Sequence, residues 1–202
     1  IRTPHLRSRD GSHLLYPIDA HSLYRFTDVR IQGAGTSLYQ NGVAVYAGFS
    51  GARLRMVSLP AQSGLQDSLF IAGGGPLKKM DGAGSITNWG LVEPSGPASL
   101  AETSAGAGVL VNGTYRYKII FRNTTTGARS NSHLVESSVT IASGPSAVAL
   151  TSIPVSTDPQ ITTREIYRTQ QDGQIYFLAS TINDNTSTSY TDNIADADLD
   201  ST

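Results

Sequence analysis

Four histidines are the first candidates for metal or acid–base chemistry. His5, His13 and His21 recur at intervals of eight residues. That spacing matches neither one helix face nor a zinc-ligand pattern. Loop positions in an N-terminal arm are the simpler reading, and His133, inside the polar run SNSHL, reads the same way. Among the serines, GFSG (Gly48–Gly51) lacks the G-x-S-x-G spacing of a nucleophile elbow. The glycine run AGGGP (Ala72–Pro76) would need a following helix to bind phosphate on its N-terminal amides. LKKMDG follows instead, which reads as a tight hairpin.

The carboxylates Glu93, Glu102, Glu136 and Glu165 contain no pair marked for glycoside chemistry. Glu165 alternates with Arg164 and Ile166, as a solvated strand residue would. Asp192, Asp196, Asp198 and Asp200 crowd the C-terminal end, but the turn glycine and bidentate glutamate of a calcium loop are missing. They read as a solvated acidic tail, except that Asp192 ends a strand and caps a turn. Tyr39, Tyr46, Phe49 and Trp89 would suit a sugar-stacking platform; core packing is the simpler account, since aromatics favour strands. Trp89, in TNWGL, is the one expected to be exposed. The residues therefore point to no catalytic, cofactor or metal site, and the expectation is a protein that is not an enzyme.

Composition narrows the class. Of 202 residues, 39% are hydrophobic and only 15% charged, and there is no cysteine. Disulfides and thiolate metal sites are excluded. A formal net charge of −1 gives no electrostatic case for nucleic acid or an anionic membrane. No run is long and apolar enough for a transmembrane helix, and the opening stretch IRTPHLRSRDGSHLLYPIDA lacks the apolar core of a signal peptide.

Gly, Ser, Thr and Asn in place of charge favour short strands joined by turns. No amphipathic helix of three turns is evident; the chain reads as all-β. TYRYKIIFRN alternates Tyr115, Tyr117, Ile119 and Phe121 with Arg116, Lys118, Ile120 and Arg122, the pattern of a half-buried antiparallel strand. TREIYRT and QIYFLAS flank QQDG as a hairpin, with Asp172-Gly173 in its turn. Tyr117, Ile119, Phe121, Tyr167, Phe177 and Tyr190 are the expected core of this half. About six short strands within about 100 residues suggest an immunoglobulin-like sandwich.

The first half is glycine-richer. Ser-Leu-aromatic recurs at Ser22–Tyr24, Ser37–Tyr39 and Ser68–Phe70, at unequal intervals of 15 and 31 residues. Consecutive hairpins or propeller-like blades both fit. Low bulk and abundant Pro, Gly, Ala and Ser mark Val92–Gly108 as a linker, with the junction at Glu93–Pro97. The expected organisation is residues 1–93, β-rich hairpins or blades with an N-terminal arm; residues 97–196, an Ig/fibronectin-III-like sandwich; and an acidic tail at 197–202.

Two long stretches and a closing TSTSYTDN carry a family resemblance. They are GTYRYKIIFRNTTTGARSNSH and VALTSIPVSTDPQITTREIYRTQQDGQIYFLAST. This half resembles the fibronectin-III-like domains of tailed-bacteriophage virion proteins. DSLFIAGGGPLKKMDGAGSITNWGLVEPSGP is similar to the strand-rich segment that precedes such domains in tail and nozzle-type proteins. The resemblance implies a structural component of a phage virion in the tail, nozzle or portal–tail junction, working by multi-copy assembly. Its partners would be other copies of itself and other virion proteins, with no nucleic acid or membrane. The arm would lie extended on a neighbouring subunit, anchored by Leu14, Leu15, Tyr16 and Ile18. The alternative is a secreted or cell-surface carbohydrate-binding or adhesion module using exposed aromatics such as Trp89.

Overall fold

The computed structural model describes residues 20–61 and 67–199. The proposed anchors Leu14, Leu15, Tyr16 and Ile18, with His5 and His13, lie outside them, as do residues 200–202 of the expected tail. The chain is all-β, and among the described residues the one helical element is the 3-10 turn Asp196–Asp198. It divides into two compact units, one ending at Trp89 and the other starting at Gly90.

The first unit holds two four-stranded antiparallel meanders. The strands of the first are β1 (Ser22–Phe26), β2 (Val29–Ala34), β3 (Ser37–Gln40) and β4 (Val43–Ala47). The second consists of β5 (Arg55–Leu59), β6 (Ser68–Ala72), β7 (Lys78–Asp81) and β8 (Ile86–Asn88). The three Ser-Leu-aromatic runs open β1, β3 and β6. Asn41 and Gly42 join β3 to β4 with φ of +49° and +88°, the paired positive values that a two-residue hairpin turn requires. The sheets share one core: Phe26, Ile31, Leu38, Phe49 and Leu54 pack with Leu69, Ile71 and Met80. Strand alternation gives each sheet a single apolar stripe for this purpose.

The second unit is a sandwich of seven strands. β11 (Ser137–Ile141), β10 (Gly113–Arg122), β13 (Thr163–Thr169) and β14 (Tyr176–Ile182) form one sheet in that spatial order. β15 (Tyr190–Asp192), β12 (Ala147–Thr151) and β9 (Ser99–Thr103) form the other. The two sheets hold four and three strands, and β9 and β10, consecutive in sequence, lie in opposite sheets. The alternation read in TYRYKIIFRN holds: Tyr115, Tyr117, Ile119 and Phe121 are each at most 4% exposed. Tyr115, Tyr117 and Ile119 pack with Ile166 of β13 and with Val148 and Leu150 of the opposite sheet.

Three expectations change. The stretch read as linker, Val92–Gly108, contains β9, paired along its whole length with β12. Its small residues concealed Leu100, which packs on the core. Glu102 also braces the neighbouring loop, accepting bonds from the amides of Ala142 and Ser143 and from the Ser146 hydroxyl. Tyr167 is not a core residue. It pairs with Lys118, placing it on the outer face, while Arg164, Ile166 and Arg168 pair with Phe121, Ile119 and Tyr117 on the inner one. Phe177 and Tyr190 are half-buried rather than enclosed, though Tyr190 packs against the core.

Because Phe121 is 2% exposed, Phe121→Ala should cost about 3–5 kcal/mol through lost burial and the cavity left behind. Trp89, the one tryptophan, lies in the first unit. The loss should therefore appear in denaturation followed by circular dichroism and leave the Trp89 fluorescence transition in place. A loss below about 1 kcal/mol would contradict the packing described.

Candidate functional site

The four aromatic residues weighed as a stacking platform, with core packing the simpler account, separate. Phe49 is 4% exposed and meets Tyr46 edge to face at 5.2 Å. Both belong to the core between the two meanders. Trp89 follows the last residue of β8 and stands 40% exposed. Its indole meets Phe70 edge to face, with centroids 5.2 Å apart and planes at 89°, and Nε1 donates to the Lys78 carbonyl. Phe70 pairs with Val57 and Lys79, so Trp89 sits on the face of the β5–β8 sheet that these residues share. On that face Val57 is 66% and Leu59 47% exposed. The face is mixed, since Arg55, Ser68, Lys79 and Asp81 share it, and Val57, Leu59 and a fixed indole stand exposed on it.

Beside it, between β1 and β5, runs an open groove lined by Ser22, Leu23, Tyr24 and Arg53–Met56. Ser22 Oγ accepts from the Leu54 amide at 2.7 Å, and the Tyr24 hydroxyl donates to Ser58 Oγ at 2.9 Å. His21, expected in a loop of the N-terminal arm, lies at the start of β1. Its Nδ1 is 2.9 Å from Ser22 Oγ and its Nε2 is 3.1 Å from the Gly35 carbonyl. His133 accepts from the Val135 amide within its own loop. Both rings are tied to local backbone or side chains.

Among the described residues the buried charged side chains, Arg164, Glu165, Arg168 and Asp192, all lie in the second unit, and sequence reasoning missed their burial. Glu165, expected to be solvated, is wholly buried under the outer face of its sheet. Arg129 Nε and Arg122 Nη1 each approach a Glu165 oxygen at 2.7 Å, and the Tyr167 hydroxyl donates at 3.1 Å. Burial drives the Glu165 pKa upward. Arg129, Tyr167 and Arg122 outweigh it and hold the carboxyl below its ordinary value. Alternation gave the correct face for Glu165; no sequence signal showed that the arginines and Tyr167 would close over it.

On the inner face Arg168 is fully buried. Its Nε lies 2.9 Å from Asp192 Oδ2 and its Nη1 2.7 Å from Asp196 Oδ1, and Nη2 donates to the Ile194 carbonyl. Tyr117 donates to Asp192 Oδ2 at 2.7 Å. Burial, then the Asp192 charge, pushes the Tyr117 hydroxyl pKa far above its usual value. Asp192 does cap its turn, accepting from the Ile194 amide, but neither it nor Asp196 belongs to a solvated tail. Arg164, also wholly buried, is held by Asp184 and by the Pro154 and Asp184 carbonyls. Asp184 is in turn held well below the ordinary carboxylate range, first by the Ser187 hydroxyl. These groups can fix strands to loops; every carboxylate among them is engaged by a cation, hydroxyl or amide. Glu136, on the outer face, is likewise engaged by Arg116 and the Tyr176 hydroxyl.

Among the described residues no three His, Asp or Glu side chains are grouped to hold a metal ion, and no helix is long and apolar enough to cross a membrane. Compared with family models and with curated proteins, the sequence gives no match to either.

Two substitutions separate the roles of the charged groups. Asp192→Asn withdraws one of the two carboxylates facing a fully buried guanidinium, and should cost about 3–5 kcal/mol. A cost under about 1 kcal/mol would show that Asp196 alone suffices. Glu165 has a lowered pKa in the folded state, so its contribution is present above the unfolded value, about 4.3. It is lost as pH falls through the lower folded value. Glu165→Gln should therefore flatten the acid limb of a stability-versus-pH curve below about pH 4; an acid limb as steep as the parent's would contradict this.

Proposed function

We propose that this chain is a structural component of a bacteriophage particle, in its tail, nozzle or portal–tail junction, acting by multi-copy assembly rather than by turnover of a substrate. The observation that supports this most is the exposure of Val57, Leu59 and Trp89 together on one face of the β5–β8 sheet. Exposed apolar patches of this kind mark interaction sites. The second unit supports the same reading, because its buried ion pairs tie strands and loops into a rigid block. The likeness of GTYRYKIIFRN, REIYRTQQDG and SYTD to virion domains supplies the particle. Repetition under symmetry lets modest contacts sum to strong avidity. The arm with Leu14, Leu15, Tyr16 and Ile18 would add contacts to a neighbouring subunit.

A second reading has one observation in its favour. Trp89 is 40% exposed and its indole is held by a hydrogen bond and an aromatic contact, as a glycan-stacking residue would be.

Quantitative mass spectrometry of purified particles tests the proposal. The chain should be present in several copies per particle and stay bound through high-salt washing. Its absence from particles, together with glycan binding that is lost in Trp89→Ala, would move the function to the carbohydrate-binding alternative.

A further inference from the structure

We propose that the outward face of the β5–β8 sheet docks the β1–β4 sheet of a second copy of this chain, extending the two-sheet stack head to tail. The stacking geometry is the same whether or not the chain belongs to a virion.

The two meanders have the same strand order, and their first strands lie side by side. Ser22 meets Leu54 and Tyr24 meets Ser58, so β1 and β5 run in the same direction. The turn after β3 and the turn before β8 also meet, since a Cβ on Gly84 would come within 2.9 Å of the Gln40 side chain. Strands matched in order and direction relate the two sheets by a step along the stack, not by a dyad. A dyad would close the pair on itself. A step leaves each end of the stack presenting a surface already used inside it.

The face that β1–β4 buries against β5–β8 carries Tyr24, Phe26, Ile31, Leu38 and Tyr46. Its counterpart one step on is the outward face of β5–β8, with Val57, Leu59, Phe70 and Lys79. Both faces close with an aromatic just past the fourth strand: Phe49 against Tyr46 in one, Trp89 against Phe70 in the other, each edge to face at 5.2 Å. Phe49 is buried by the neighbouring sheet, whereas Trp89 is 40% exposed. The second aromatic therefore occupies a place that the first shows to be an interface.

The other end of the stack offers the partner face, an apolar and neutral row beside the paired Arg25 and Arg30. The back of β1–β4 carries Leu23, Gln32, Tyr39 and Ala44 in one row. Leu23 is 50% exposed, while Gln32 is 7% exposed with its Oε1 lacking a hydrogen-bond partner. Inside the existing interface Lys78 of the second sheet lies over the Tyr46 ring of the first at 4.8 Å. One step on, the outward row Val57, Phe70 and Lys79 of one copy faces the back row Leu23, Gln32 and Tyr39 of the next.

Sedimentation velocity over a wide concentration range, with Trp89 emission recorded in parallel, tests the proposal on the full chain. The chain should associate as concentration rises, with a blue shift as the indole is enclosed. Val57→Lys and Leu59→Lys change exposed residues, so the fold should persist, and each should weaken association by about a hundredfold through a charge buried in the contact. Circular dichroism checks folding. A chain that stays monomeric at the highest concentration, or one whose association ignores both lysines, would overturn the proposal. Neither result depends on whether particles contain the chain, so this failure is distinct from failure of the virion assignment.

Discussion

A β-sheet has two faces, and in an antiparallel meander packed on one of them the other is ordinarily polar. In the first unit this constraint is met on the inside and left unmet on the outside. The inward stripes, Phe26, Ile31 and Leu38 against Leu69, Ile71 and Met80, are fully covered. The outward face of β5–β8 carries Val57, Leu59 and Phe70 with an indole standing on it. The position of Trp89 belongs to that asymmetry, and the assembly role proposed for the chain rests on it.

The second unit solves the two-face problem differently. Its sheets cover one another's inner faces, and its outer face is screened by charge. Glu165 lies beneath Arg122, Arg129 and Tyr167, so a carboxylate in the middle of a strand is desolvated yet stays ionised. Arg168 performs the converse on the inside, joining β13 to Asp192 at the end of β15 and to Asp196 beyond it. Removing one partner of such a cluster strands the other in a low-dielectric site, which is why these pairs constrain the fold more than their net contribution to stability suggests. A block held this way keeps its shape.

The legible parts of the fold were those where local pattern and burial agree. TYRYKIIFRN alternates strictly, and its tyrosines, Ile119 and Phe121 are buried. Asp172 takes the positive φ expected of its turn, at +51°. REIYRT misled because apolarity and position disagree. An aromatic at Tyr167 faces outward over Glu165, while Arg164 and Arg168 occupy core positions that only distant partners, Asp184, Asp192 and Asp196, make habitable. No local window contains those partners. SLAET misled for the reverse reason: small residues resemble a linker, but Leu100 and Glu102 find their contacts across the sheet. The exposure of Trp89 was legible from its place beside glycine at the end of a strand. Its role on an open sheet face was not, since that depends on how two meanders stack.

The chain has no cysteine, so a cross-link between copies tests the stacking of sheets directly. One preparation would carry Val57→Cys and another Leu23→Cys, both at exposed positions. Mild oxidation of the mixture should give a covalent pair joining one of each, in excess over pairs of like chains. Only like pairs in random proportion, or no covalent pair at concentrations where wild-type chains associate, would contradict the account.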